Sequence, residues 1–78
     1  MRVEPIALQE KRYNYLPQRF MYRGEERLVR RVERSWGEAA SWRQPARQFF
    51  RVRCQDDQVF NLIHDLQLNV WYLERTEA

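Results

Sequence analysis

The sequence predicts a mostly-β fold, a small antiparallel sheet of about five strands, twisted or curled into a partial barrel. Three observations carry that expectation. Between Gln48 and Arg75, bulky apolar residues alternate with polar ones: Phe50, Val52 and Cys54 fall on one side of an extended chain, Arg51 and Arg53 on the other. Period-two alternation is what a strand needs when one face is buried and the other is wet. Gln55-Asp56-Asp57-Gln58 then supplies turn chemistry, because Asp side chains bond their own backbone and tolerate the turn. Finally, Phe60, Leu62 and His64 share a face, as do Trp71 and Leu73 beyond the polar link from Asp65 to Asn69. Together these runs make an antiparallel meander of strands near 48–54, 59–64 and 70–75.

Composition agrees with a single small core. The chain has 78 residues, enough for one domain, and a chain of that size buries only about 60% of its unfolded surface. Aromatic residues make up 14% of it, efficient fillers that argue against disorder. Mean hydropathy is −0.87, and no apolar run approaches the ~20 residues that span a bilayer. Met1-Arg2-Val3-Glu4-Pro5 lacks the apolar stretch of a secretory signal. A lone cysteine, Cys54, forms no internal disulfide and cannot build a four-thiolate metal site. A reducing, cytoplasmic compartment is the expectation.

In chain order, residues 1–19 read as an irregular or extended N-terminal arm, interrupted by Pro5 and Pro17 and gripping the domain through Ile6, Leu8, Tyr13 and Tyr15. The single β domain then covers residues 20–78. A strand near 20–23 runs into a turn at Gly24, where glycine supplies a positive φ at little cost. Residues 27–36 are ambiguous. Leu28, Val29, Val32 and Trp36 make a helical stripe, and Glu26 precedes Arg30 by the favourable four residues. Read as a strand, the same segment needs one extra residue, a bulge, between Val29 and Val32. Gly37 to Arg47 is a loop, and Trp42 within it is expected to pack back on the core. The expected core is Phe20, Tyr22, Val29, Val32, Trp36, Phe50, Val52, Phe60, Leu62, Trp71 and Leu73.

Phe20-x-Tyr22-x-Gly24, Val29, Val32, Trp36, Phe49-Phe50-Arg51-Val52, Val59-Phe60-x-Leu62-x-His64-Asp65 and Trp71-x-Leu73-x-Arg75 form a spaced pattern over residues 17–75. That pattern resembles an uncharacterised bacterial family of small Arg/Trp-rich domains. Its members stand alone or form tails of Y-family DNA polymerase-like proteins. Two positions depart from it: Arg27 where an aromatic is usual, and His64 where Tyr or another aromatic is common. The resemblance implies a compact β domain, which resolves 27–36 as a long bulged strand, and by association a DNA-repair setting.

Charge distribution frames the functional expectations. Residues 1–53 carry thirteen basic and six acidic side chains, and residues 54–78 carry one and five. Thirteen of the fourteen basic residues are arginine, whose planar fork suits carboxylate and phosphate. Covalent catalysis needs a nucleophile, a base and an orienting group in mutual reach. Cys54 and His64-Asp65 are the only pieces available, and Cys54 alternates with Phe50 and Val52 as an inert buried thiol. No enzyme activity, metal or cofactor is therefore expected. Asp56-Asp57 is a turn, and two glycines, Gly24 and Gly37, make no phosphate loop. The expected binding surface is Arg27, Arg31, Trp42, Phe49, Arg51 and Arg53. Arginine with tryptophan is common at interface hot spots, and sheet edges add partner strands. A docking or protein-interaction module is the leading expectation, with single-stranded DNA as the alternative ligand if Trp42 or Phe49 stacks on a base. No membrane or small-molecule partner is expected, and the chain reads as a monomer or weak homodimer. Against all of this stands a plainer expectation, a solvated face whose arginines pair with Glu25, Glu26, Glu33 and Glu38.

Overall fold

The computed structural model describes residues 2–75, in which six strands follow one another: β1 (Arg2–Arg12), β2 (Leu16–Tyr22), β3 (Glu25–Glu38), β4 (Arg47–Cys54), β5 (Val59–Asp65) and β6 (Val70–Arg75). Each pairs antiparallel with the next, and β1 pairs with β6 to close an up-and-down barrel. The mostly-β antiparallel prediction, curled towards a barrel, describes this fold. No helix among the described residues is long and apolar enough to cross a membrane.

The N-terminal segment differs from expectation. Arg2–Arg12 is the sixth stave of the barrel and not an irregular arm, and β2 begins at Leu16. Ile6 and Leu8 alternate inward and pack against the core, which gives the segment its strand. Pro5 is tolerated because β1 changes partner: its residues up to Ile6 pair with β6, and those from Ala7 pair with β2. A residue without an N–H therefore interrupts no two-sided ladder.

The hairpins close on residues that suit them. Arg23 and Gly24 both take positive φ, as a tight two-residue turn demands. Asp57 and Asn69 do the same in the β4–β5 and β5–β6 turns. The Asp56 Oδ1 accepts the Gln58 N–H at 3.2 Å, and the Asp65 carboxylate accepts from both Gln67 and Leu68 at 3.0 Å. These are the Asx contacts that make such residues turn formers.

Phe20, Tyr22, Phe50, Val52, Cys54, Leu62, Trp71 and Leu73 form the buried core, with Ile6, Leu8, Leu16, Val29, Val32 and Phe60 packed against it. Trp71 lies stacked between Phe50 and His64, at centroid distances of 5.6 and 4.2 Å. One expected core residue, Trp36, is elsewhere. The β3–β4 register slips twice, between Val29 and Arg31 and again between Val32 and Arg34. The first slip keeps Val29 and Val32 facing inward, and the second turns Trp36 to the outside.

Candidate functional site

The same two bulges assemble an outer face on β3–β4. Phe50, Val52 and Cys54 point in, so Phe49, Arg51 and Arg53 point out. Register then sets Arg31 opposite Arg53, and Arg34 opposite Arg51. Glu33, at the second bulge, ties the upper pair together: its carboxylate accepts from Arg53 at 2.7 Å and from Arg31 at 3.1 Å. Those two bonds hold the Glu33 carboxyl below its ordinary range, with Arg53 the larger influence. The lower pair has no such acid. Arg51 donates to the amide oxygen of Asn61 at 3.3 Å, and Arg34 lies over the Trp36 ring at 4.8 Å. Among the described residues neither has a carboxylate within salt-bridge distance.

Below the arginines runs an apolar row. Trp36, Phe49, Ile63 and Tyr72 are successive cross-strand neighbours on β3, β4, β5 and β6. Trp36 and Phe49 stack with their planes 4° apart. Phe49 also carries the Arg47 guanidinium at 5.2 Å. Lateral packing leaves Phe49 only 8% exposed and Ile63 4%, although both are on the convex side of the sheet.

Three of the six residues predicted for a binding surface, Arg31, Arg51 and Arg53, do share this face. Phe49 shares it too, but it is buried and offers no free ring. Arg27 is not with them. It faces inward at one barrel mouth, over the Phe60 ring at 5.5 Å, and is held by Glu25 at 3.0 Å and Asp56 at 2.9 Å. Trp42 is separate as well: it does not fold back on the core, and 89% of it is exposed. Its loop makes a local turn, closed by the Ser41 N–H on the Gln44 carbonyl, and joins β4 at Arg47. About 20 Å of strand separates Arg47 from Arg53. The face also contains two residues that the sequence reading left out of the surface, Arg34 and Trp36. Their signal is the i, i+2 spacing after Val32, which reads correctly only when a second bulge is allowed.

The expected acid pairing of the arginines is visible on part of the molecule. Glu25 pairs with Arg27, Glu26 with Arg19, Glu33 with Arg31 and Arg53, and Glu38 with Arg47. Cys54 and His64 are far apart. Cys54 opposes Val29 at one end of β4, while His64 opposes Gln48 near the other, about 20 Å along the strand. Burial pushes the Cys54 thiol up to about 11, so it is un-ionised near neutrality. His64 instead pairs through Nε2 with Asn69 Oδ1 at 2.8 Å.

The model of a family described as "Domain of unknown function (DUF6504)" matches residues 2–77. The chain belongs to that family. Membership agrees with the expected kinship to an uncharacterised group of small domains, and it extends the match over β1, beyond the spaced pattern read in the sequence. Searches of the curated proteins and of the solved structures gave no match. The family description assigns no activity, so the outer face of this DUF6504 domain has to be read from its own chemistry.

Proposed function

We propose that this domain is a non-enzymatic docking module that takes an acidic segment of a partner protein across the β3–β4 face. One observation carries the reading: Arg34 and Arg51 stand directly opposite each other with no carboxylate at salt-bridge distance among the described residues. Like charges directly across a ladder are destabilising. Among the described residues no acid offsets that repulsion, which Arg34 meets with the Trp36 ring and Arg51 with the Asn61 amide, whereas an incoming carboxylate would accept from both guanidiniums. The rings beneath favour an acidic peptide over a nucleic acid, because Trp36 and Phe49 already stack on each other and each carries an arginine.

Single-stranded DNA in a repair setting is the second reading, and a separate observation favours it. Trp42 is exposed beside Arg43, whose guanidinium lies 4.7 Å from the ring. Such a pair suits an unstacked base and its phosphate. Titration of a Glu/Asp-rich peptide and of a single-stranded oligonucleotide, each at low and moderate salt, separates the two. Docking predicts peptide binding that Arg34→Ala/Arg51→Ala abolishes and Trp42→Ala leaves alone. Oligonucleotide binding that collapses with salt and requires Trp42, without peptide binding, would overturn it.

A further inference from the structure

β3 changes partner along its length and is paired on one side at a time. Glu25 to Leu28 pair with β2, whereas Val29 to Glu38 pair with β4 alone. The β2 ladder ends at the Arg19–Leu28 pair, two residues short of Pro17, which has no N–H to offer, and of the β3 bulge at Arg30. A cleft of about 260 Å³ lined by Leu16, Pro17, Val29 and Val32, among others, opens at that point. From there the free edge of β3 continues to Glu38. Long exposed edges are normally blunted by charges that repel a second strand. The charges on this one are arranged differently.

Beyond the second bulge, Arg34, Trp36 and Glu38 share the outer face, opposite Arg51, Phe49 and Arg47. We propose that this edge pairs antiparallel with the same edge of a second copy, with Trp36 on the two-fold axis. Directly opposite residues in an antiparallel ladder face the same side, so the axis must pass through a residue of this outer set or of the inner one. Centred on Trp36, the pairing sets ring against ring and places Arg34 against Glu38 of the second copy on both sides of the axis. Centred on Arg34 or Glu38, it sets like charge against like. Centred on the inner residues Ser35 or Gly37, it sets Trp36 against Arg34 or against Glu38 and opposes no unlike charges, so the self-complementary register is the one at Trp36. The Glu38 carboxylate already pairs with Arg47 and remains half-exposed to receive a second guanidinium. So short a shared edge falls among the small, transient interfaces, and the dimer is concentration-dependent. Joining the two β3 strands extends the arginine faces into one continuous sheet.

Sedimentation equilibrium of the full chain over a wide concentration range tests this, with circular dichroism checking that each variant is folded. Wild type is expected to dimerise. Arg34→Glu and Glu38→Arg are each expected to weaken the dimer about tenfold, since two attractive pairs become two repulsive ones. An equimolar mixture of the two variants is expected to restore it, because every opposed pair in the mixed dimer is again of opposite sign. A wild type that stays monomeric at the highest concentration, single variants that dimerise like wild type, or a mixture that stays monomeric would each overturn the proposal. Peptide binding is read separately on Glu38→Arg, which retains the whole arginine face.

Discussion

Inward, β4 presents Phe50, Val52 and Cys54, all at or below 1% exposure; outward, the same strand presents Arg47, Phe49, Arg51 and Arg53. Only one residue in four on the outer side is apolar, yet Phe49 is nearly as well buried as the core. The inner residues are sealed by depth, with the opposite wall of the barrel above them. Phe49 is sealed sideways, by Trp36 on one strand and Ile63 on another. Burial on a barrel of this size thus has two sources, and they differ in what they contribute. An inner ring displaced leaves a void that water cannot fill. An outer ring displaced leaves a dent that water fills at once.

The largest effect should come from the inner side. Trp71→Ala removes the ring held between Phe50 and His64, and is expected to cost about 3–5 kcal/mol, most of the stability of a domain this small. Urea denaturation followed by circular dichroism reads it, and a cooperative variant with the wild-type midpoint would mean that depth of burial contributes nothing extra. Phe49→Ala should cost less, about 1–2 kcal/mol, chiefly the stack with Trp36 and the contact with Ile63. A loss equal to that of Trp71→Ala would mean that lateral burial counts as much as depth.

Smaller still is the acid dependence of the arginine pairs. The folded state holds Glu33 below its ordinary value of 4.5, so its contribution is complete above that pH and disappears as pH falls through the lower folded value. Glu4 behaves alike, through hydrogen bonds from Arg23 and from the Tyr22 hydroxyl. The melting temperature of Glu33→Gln should therefore lie slightly below that of wild type at neutral pH and converge with it in acid. A gap that persists unchanged at pH 2 would remove the carboxylate from the account. Least affected should be Arg51→Ala, within about 0.5 kcal/mol of wild type, because the side chain is exposed and opposes another arginine. Acidic-peptide titration is where that variant should differ, and a marked destabilisation would recast Arg51 as structural.

Much of the β4–β6 meander was legible because each strand there turns an alternating apolar set inward, and its turns carry Asp or Asn at the required places. Arg2–Arg12 was harder to read. Pro5 and Pro17 look like breaks in a strand until the partners are known, and a β1 that changes partner part-way along accommodates the first of them. Trp36 was misassigned for a related reason. One bulge in β3 explains Val29 and Val32, but the spacing after Val32 reads equally well with or without a second, and each slip reverses the face of everything after it. Trp42, too, follows tryptophan's usual preference for burial only if some surface is in reach, and at 89% exposure it has none.

Alternation, turn residues and composition by themselves determined a small antiparallel β fold with rings inside, an inert cysteine and an excess of arginine on the first two-thirds of the chain. Those are local properties, written into neighbouring residues. Which arginines meet, that Arg27 plugs a barrel mouth while Arg34 joins Arg51, and that β3 keeps one edge free were decided only by tertiary structure. The reason is that register across a ladder depends on bulges and partner strands far away in sequence, and a slip of a single residue exchanges the buried face for the exposed one.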